Sequence, residues 1–288
     1  MPLYIAGGFL RDYFSGNQSS KSDIDLASEI TPKEIELLSD VQVYMRGSQF
    51  GSCIVSTGSN AYDHTILRAE SYEATSRLPD IVNGDIYTDL YRRDSTINSA
   101  LYDIKEGILY THPKFFSDVD KSIIRSTSNP FITRFEDPLR IIRDFIFASD
   151  YLCDIHWLTL LADKFLAKHI QDKVPKERLT AEISKIRYIN MFICKLKKTG
   201  IYNKVFSFDM RSPFVYKPYR DGLLFWAELC KGNLDLLRSN FTLSKKILKG
   251  VSELYRYEDK ISFLRSSTTE DNYLHKQYLL RCLRDDLS

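Results

Sequence analysis

The chain has 288 residues, of which 43% are hydrophobic and 27% charged, with a formal net charge of +2. This composition excludes a disordered or collagen-like protein, and a chain of this length buries a sizeable core without disulfide or metal staples. The five cysteines lie far apart and form no CxxC pair, which argues against a disulfide framework or a zinc site. We therefore expect a globular protein of a reducing compartment, the cytoplasm or an organelle matrix.

The start of the chain, MPLYIAGGFLRD, lacks the basic beginning and the long apolar run of a signal peptide. Nor does any stretch reach the ~18 uncharged apolar residues that a membrane helix needs, so we expect no membrane partner. Residues 1–145 hold 15 Lys+Arg and 21 Asp+Glu, whereas residues 146–288 hold 25 and 17. An acidic half before a basic half suits a site that binds cations and a polyanion, although an unevenly charged solvated surface explains the counts equally well.

The first elements alternate between strand and helix. LYIA predicts a strand that ends at Gly7-Gly8, and FLRDYF has the spacing of a helix. SDIDLAS predicts a half-buried strand, and Thr31-Pro32 predicts the cap and first residue of a short helix. Two further strands are predicted over residues 52–56 and 61–67. Together these elements predict a small sheet with its helices on one side.

The pattern then changes from mixed to helical. Most of the segment from Arg68 to Thr88 is predicted as a loop, LYRRDSTINSALYD as a helix and GILYTHP as a strand. From Asp118 onward the apolar spacing is helical almost throughout. The expected fold class is α+β, with a sheet-containing head followed by an all-helical part.

Asp23 and Asp25 are separated by one residue on a predicted strand, so both carboxylates project from the same face. Two ionised carboxylates at this distance repel one another unless a divalent cation lies between them, and Mg²⁺ favours oxygen ligands. The pair therefore predicts a metal site that also holds a nucleoside triphosphate. A solvated strand end is the simpler reading of an isolated DxD.

Gly7-Gly8 lies where a predicted strand passes into a predicted helix. Without Cβ atoms the backbone amides can approach a phosphate, and the amino terminus of a helix favours an anion. Arg11 follows in the first turn of that helix. Taken alone, the glycine pair is also typical of a tight turn that binds nothing.

Five runs in order, GGFLRD, SDIDLAS, RRDSTINSALYD, RFEDPLRIIRDF and KERLTAEISKI, resemble the motifs of the class II tRNA nucleotidyltransferase and bacterial poly(A) polymerase family, which belongs to the polymerase β superfamily. The resemblance covers roughly residues 3–210. It implies a polymerase β-like catalytic head over residues 1–117, a neck that selects the nucleobase over residues 118–190, and a body with a shortened tail that binds tRNA over residues 191–288.

The resemblance also implies a role for each motif residue. Asp23 and Asp25 are expected to hold two Mg²⁺ ions, and Gly8, Arg11 and Arg93 to bind the phosphates and ribose. Asp137, Arg140 and Arg143, spaced i, i+3 and i+6 along a predicted helix, are expected to select the base of CTP or ATP by hydrogen bonding. Ordinary ion pairs along a helix would produce the same spacing.

The implied activity is template-independent addition of CCA, or of its terminal A, to the 3′ end of tRNA. LRAESYEATSRLP resembles the family's flexible loop, and its charged residues Arg68, Glu70 and Arg77 favour full CCA or terminal A addition. A poly(A) polymerase of the same family is one alternative, and a non-catalytic RNA-binding module is another. Oligomeric state is left open.

Two positions depart from the family pattern, and two others have an expected supporting role. Ile146 stands where relatives commonly have a third arginine of the EDxxR helix, and Ser95 stands where a phenylalanine is usual. Asp63 is a candidate third carboxylate that assists the metal pair or the 3′ hydroxyl. Arg178 of the last motif, with its neighbour Glu177, is expected to brace the neck.

Overall fold

A computed structural model describes residues 2–16, 24–38, 41–45, 51–58, 60–71, 80–206, 225–227, 229 and 233–256. They divide between two units, residues 1–207 and 208–288, and each unit is described by itself. The strands are β1 (Leu3–Ala6), β2 (Asp25–Ser28), β3 (Gln42–Tyr44), β4 (Ser52–Thr57), β5 (Asn60–Ile66), β6 (Arg68–Ser71), β7 (Asp80–Asn83), β8 (Ala100–Asp103), β9 (Leu109–Thr111), β10 (Ile123–Ile124) and β11 (Asp154–Ile155).

The described part of the first unit contains eleven α-helices, eight of which follow strand β9 in the chain. They are α1 (Gly8–Phe14), α2 (Pro32–Glu36), α3 (Ile86–Arg92), α4 (Phe115–Asp120), α5 (Pro130–Glu136), α6 (Leu139–Asp150), α7 (Trp157–Leu166), α8 (Ile170–Lys173), α9 (Lys176–Ile183), α10 (Ile189–Thr199) and α11 (Tyr202–Val205). Helix α2 begins as the sequence predicts, because Thr31 caps it in a reciprocal capping box with Glu34 and Pro32 occupies its first turn.

Seven strands form one mixed sheet in the order β3-β4-β5-β2-β1-β8-β9. Strands β2 and β5 are parallel, and the other neighbouring pairs are antiparallel. Strand β1 lies inside the sheet between β2 and β8, and its residues Tyr4 and Ala6 are buried. The α+β fold class is confirmed.

Helices pack on both faces of the sheet, and the expected one-sided arrangement is wrong. Tyr4 and Ala6 pack with Leu90 of α3 on one face. On the other face Leu10 of α1 and Phe115 of α4 pack together in a second cluster. Alternate residues of a strand point to opposite faces, so β1 contributes to both clusters.

Two segments differ from their predicted secondary structure. Strands β6 and β7 form an antiparallel hairpin within the predicted loop, and its connecting residues 72–79, Arg77 among them, lie outside the described residues. The predicted helix over residues 90–103 ends at Arg92, and β8 instead pairs with β1. Ala100 and Leu101 are both fully buried. A short apolar run of this kind fits a strand covered on both faces as well as it fits a helix, so periodicity alone could not distinguish the two.

Helices α5 and α6 are joined at Asp137, which therefore lies between two helices and not within one, contrary to the predicted continuous spacing. Behind this junction Arg134 is completely buried and pairs with Asp144 of α6 and Asp163 of α7. This buried ion-pair group connects helices α5, α6 and α7.

In the second unit, α12 (Leu234–Asn240) and α13 (Lys245–Arg256) are described. Trp226 is buried, with its ring centroid 4.9 Å from that of Phe241. Among the helices of the described residues, none has the length and apolar character that crossing a bilayer requires.

Candidate functional site

The glycine turn and Asp25 meet at one end of β1 and β2. Ala6 pairs with Asp25 in the antiparallel register, so Gly7 and Gly8 follow directly beside that carboxylate. Gly7 has a φ of 64°, in the left-handed region that favours glycine. A Cβ on Gly7 would lie only 2.9 Å from Nη1 of Arg93. The turn conformation therefore favours glycine here, and the absent Cβ leaves the space that the Arg93 guanidinium occupies.

Asp25 also has an acidic neighbour across the sheet. It is in register with Asp63 on the parallel strand β5, and both residues are exposed. Partners in register project to the same face, which places two carboxylates side by side. Asp23 lies outside the described residues, so the predicted Asp23–Asp25 pair stays a prediction. Within the described part of the chain, no group of three His, Cys, Asp or Glu side chains could hold a metal by itself.

Arg93 is held from two directions. Its Nε and Nη2 donate to Oδ2 of the buried Asp89 at 3.1 and 2.6 Å, and its Nη1 donates to the carbonyl oxygen of Asn98 at 3.3 Å. Arg92 donates to the other oxygen of the same carboxylate. Asp89 therefore orients two adjacent arginines.

Arg11 lies beside the second glycine of the turn, with Nη2 3.5 Å from the position of a Cβ on Gly8. Its Nη1 donates to Oδ1 of Asn98 at 2.6 Å, and its Nη2 donates to the hydroxyl of Tyr151. The guanidinium carbon also lies 4.2 Å from the ring centroid of Tyr151 and 5.4 Å from that of Phe147. Asn98 thus links Arg11 to Arg93, and the two cations lie beside the turn.

A cleft of about 650 Å³ brings these groups together. Seven arginines and four carboxylates line it, a surplus of positive charge that suits a polyanion. The lining includes seven of the predicted catalytic and nucleotide-binding residues, namely Gly8, Arg11, Asp25, Arg93, Asp137, Arg140 and Arg143, whereas the candidate third carboxylate Asp63 does not line it.

Gly8, Arg11, Asp25 and Arg93 form one wall of the cleft, called the head wall below, and Asp137 with residues of α6 and α9 forms the other, called the neck wall. Arg140 is buried, donates from Nη1 to the carbonyl oxygen of Arg93 at 3.2 Å, and has Nη2 3.8 Å from Oε2 of Glu70. Burial alone would raise the pKa of Glu70, but Arg92 and Arg68 lower it below its ordinary value. The predicted base-selecting arginine therefore contacts the head directly.

Helix α9 supports this wall through two ion pairs. Arg178 donates to Oδ2 of Asp137 at 3.3 Å, and Glu182 accepts from Nη2 of Arg143 at 3.2 Å. Burial lowers the pKa of Arg143, but Glu182 and Asp94 outweigh it and raise that pKa. The expected bracing role of Arg178 is therefore supported by a contact with a predicted base-selecting residue.

Asp94 lies where the two walls approach. Its Oδ1 accepts from the backbone N–H of Ser95 at 2.8 Å and from Nδ2 of Asn98 at 3.1 Å, and Oδ2 lies 4.0 Å from Arg143. Burial raises the pKa of Asp94, but Arg143 and these hydrogen bonds lower it overall. Asp94 is therefore an anion that orders the motif around Arg93.

A second cavity, of about 470 Å³, adjoins the cleft. The two share Gly8, Arg11, Asp25, Asp94, Arg143 and Phe147. The second cavity extends past the ring of Tyr151 to the exposed cations Lys185 and Arg187. The two spaces therefore adjoin one another along a boundary that includes Asp25.

Sequence reasoning missed four contributors to this site: Asp89, Tyr151, Phe147 and Glu182. Asp89 stands three and four residues before Arg92 and Arg93, a helical ion-pair spacing that could have identified it. The sequence holds no comparable signal for Tyr151, since its partner Arg11 is 140 residues away.

Comparison with known proteins adds independent information. The profile of the family described as "Poly A polymerase head domain" matches residues 3–125. The CCA-adding enzyme of Bacillus pumilus is 30% identical over 273 residues, which cover 89% of this chain and 67% of that protein. The tRNA nucleotidyltransferase of Schizosaccharomyces pombe is 29% identical over 210 residues, covering 65% of this chain and 43% of that protein. The chain thus spans between about two fifths and two thirds of these relatives.

Solved structures share the fold. The Bacillus stearothermophilus CCA-adding enzyme in complex with CTP superposes with a TM-score of 0.73 at 21% identity, covering 92% of this chain and 68% of that one. A tRNA nucleotidyltransferase complexed with a primer tRNA and an incoming ATP analogue gives a TM-score of 0.66 at 18% identity, covering 99% and 92%.

Proposed function

Since this chain belongs to the class II tRNA nucleotidyltransferase family, we propose that it adds CCA, or the terminal A, to the 3′ end of tRNA from CTP and ATP. One observation supports this most strongly: a single cleft contains both the candidate catalytic carboxylate, Asp25, and the candidate base-selecting residues Asp137 and Arg140. In such a reaction the 3′ hydroxyl attacks the α-phosphate of the nucleotide and pyrophosphate leaves.

The acidic end of the cleft fits a divalent metal. Asp25 lines the cleft, Asp63 lies beside it in the sheet although it does not line the cleft, and hard cations such as Mg²⁺ prefer oxygen ligands. We assign Asp23 and Asp25 as the ligands, with Asp63 as an assisting carboxylate. Bound Mg²⁺ would supply Lewis-acid activation of the 3′ hydroxyl and neutralisation of the triphosphate.

The head residues would bind what CTP and ATP have in common. Arg93 and Arg11 present guanidinium groups beside the glycine turn, where Gly8 has no side chain to obstruct a phosphate. A guanidinium keeps its charge at neutral pH and donates two parallel hydrogen bonds to phosphate. These contacts are independent of the base.

The neck residues would distinguish the bases. Asp137 can accept a hydrogen bond from the exocyclic amine of cytosine or adenine, and Arg140 can donate to a ring acceptor. Uracil and guanine present the opposite pattern and would leave buried groups unpaired, at about 1–3 kcal/mol for each lost contact. Arg143 would complete this selection from the next turn of α6.

The second cavity would receive the end of the tRNA. It adjoins the cleft along a boundary that includes Asp25, and the rings of Phe147 and Tyr151 offer surfaces on which a terminal base can stack. Lys185 and Arg187 would contact backbone phosphates. In this assignment residues 1–117 carry the chemistry, residues 118–190 select the base, and residues 191–288 bind tRNA.

The experiment offers the purified protein CTP and ATP, separately and together, with a tRNA that lacks CCA, followed by sequencing of the products. Addition limited to CCA supports the proposal, whereas long adenosine tracts from ATP alone indicate a poly(A) polymerase. Poly(A) synthesis is the second candidate activity, because the family matched over residues 3–125 is described as a poly(A) polymerase head. A second substrate, a tRNA that ends in CC, tests addition of the terminal A alone. Binding of both tRNAs without any incorporation would indicate the RNA-binding module.

A further inference from the structure

The carboxylate of Asp89 is completely buried, yet it lies directly behind two arginines of the cleft. Building on the function proposed above, we propose that Asp89 is a positioning residue that sets the direction of the Arg93 guanidinium toward the triphosphate. Asp89 does not line the cleft. Its effect must therefore pass through the arginines.

The two oxygens of Asp89 divide the arginines between them. Oδ1 accepts from Nε and Nη2 of Arg92 at 2.9 and 2.5 Å, and Oδ2 accepts from Nε and Nη2 of Arg93 at 3.1 and 2.6 Å. Each guanidinium thus presents the same edge to one oxygen. A guanidinium is planar and rigid, so holding this edge determines where the remaining nitrogen points.

The remaining nitrogens are directed away from Asp89. Nη1 of Arg92 reaches Oε1 of Glu70 at 3.3 Å, and Nη1 of Arg93 reaches the carbonyl oxygen of Asn98 at 3.3 Å. The latter nitrogen also lies 2.9 Å from the position that a Cβ on Gly7 would occupy. Asp89 therefore aims Arg93 at the glycine turn itself.

Charge balance requires an acid at this position. Arg92 and Arg93 are adjacent cations, and without an anion between them they would repel and turn toward solvent. Burial alone would raise the pKa of Asp89, but Arg93 and Arg92 lower it below its ordinary value, so the group stays ionised. An amide of the same shape would accept from one arginine and oppose the other with its N–H donors.

The test compares Asp89→Asn with Asp118→Asn. Asp118 is also a buried carboxylate, 1% exposed; it accepts from Arg125 at 2.8 and 3.0 Å and from Oγ1 of Thr96 at 2.7 Å, contacts neither Arg92 nor Arg93, and does not line the cleft. We expect Asp89→Asn to raise KM for CTP and for ATP by about tenfold each, with kcat within about threefold, because a charged hydrogen bond to the nucleotide-binding arginine is lost. Asp118→Asn should leave both KM values within about twofold.

A double variant separates positioning from a general structural effect. If Asp89 acts through Arg93, Arg93→Lys should raise KM similarly, and Asp89→Asn with Arg93→Lys should be no worse than the poorer single variant. Multiplying effects, or unchanged KM values in Asp89→Asn, would overturn the proposal. If circular dichroism shows that Asp89→Asn is unfolded, the same measurements are made on Asp89→Glu, whose carboxylate is displaced by one methylene. Unchanged KM values in Asp89→Glu would also overturn the proposal.

The same measurements distinguish this inference from the function on which it rests. Wild-type protein that neither incorporates CTP and ATP nor binds them in calorimetry contradicts the proposed function. Wild-type incorporation together with unchanged KM values in the Asp89 variants contradicts only the role of Asp89.

Discussion

The two walls of the cleft are held in different ways. On the head wall, Arg93 is oriented by a carboxylate that is 0% exposed. On the neck wall, Asp137 is paired with Arg178, whose side chain is 40% exposed, and Arg143, itself 31% exposed, is paired with Glu182. Removing one member of a buried ion pair is strongly destabilising, whereas partly solvated pairs contribute little and can rearrange.

This difference matches what each wall would have to do. The head wall would meet the triphosphate and ribose, which are the same in CTP and ATP, and a fixed geometry suits a constant ligand. The neck wall would meet two bases of different size, so its contacts must adjust. Under the proposed function, the buried pair would serve the constant part of the nucleotide and the partly exposed pairs of Asp137 and Arg143 the variable base, while Arg140 on the same wall is itself buried.

The largest effect is expected at the chemical end of the head wall. Asp25→Asn should lower incorporation by about a thousandfold or more, because a neutral amide is a poor metal ligand, while tRNA affinity stays within about threefold. Single-turnover incorporation and a filter-binding assay measure the two quantities. Asp120→Asn, an exposed carboxylate at the end of α4, is the matched control. Substantial activity in Asp25→Asn would contradict its assignment.

A change in the neck wall should alter selectivity more than rate. Asp137→Asn places N–H donors where an acceptor stood, so UTP and GTP should gain relative to CTP and ATP by about 10–100-fold in kcat/KM ratio. The assay runs the four nucleotides in parallel. Asp172→Asn on α8, an exposed site, should leave the ratios unchanged. Equal loss for all four nucleotides would argue that Asp137 does not select the base.

Loss of the partly exposed ion pair between Glu182 and Arg143 should have a smaller, salt-dependent effect on kcat/KM. Glu182→Gln removes the partner of Arg143 at 3.2 Å and should lower kcat/KM by about two- to fivefold at low ionic strength. At high salt the difference from wild type should shrink, because screening already weakens a partly exposed pair. An effect that is insensitive to salt would mean that Glu182 acts by packing.

The smallest effect is expected on the free energy of unfolding, through Asp144 in the buried group behind the neck wall. Oδ1 of Asp144 and Oδ2 of Asp163 are buried and have no hydrogen-bond partner among the described residues. Burial raises the pKa of Asp144 to about 6, even though Arg134 opposes the shift. A folded-state pKa above the unfolded one stabilises the fold at acid pH, and this contribution is lost as the pH rises through about 6.

Asp144→Asn cannot take up that proton. The stability of wild type relative to this variant should therefore be greater at pH 5 than at pH 7.5 by about 1 kcal/mol, measured by urea unfolding at both values. The head wall should behave in the opposite sense: the pKa of Asp89 is lowered, so its contribution is present above the unfolded pKa and is lost on acidification below it. A difference that is independent of pH would show that Asp144 does not bind a proton in the folded state.

Local features of the fold were predictable from the sequence. The strand that ends in Gly7-Gly8, helix α1 and the cap at Thr31 all form as expected, because each depends on residues within a turn or two of one another. The resemblance of five motifs to a known family likewise implied which eight residues would share a site. Seven of those eight residues are described, and all seven line one cleft.

Long-range contacts decided the rest. Strand β8 forms because β1 supplies its hydrogen-bonding partner, and Arg11 is held by Tyr151, 140 residues further along the chain. The pairing of Arg93 with Asp89 was visible as a helical spacing, but nothing local revealed that the carboxylate is buried or that Gly7 leaves room for the guanidinium. The sequence by itself thus determined which chemical groups are available and their local conformation. Only the tertiary structure decided which of them are desolvated and face one another, because burial depends on segments that are distant along the chain.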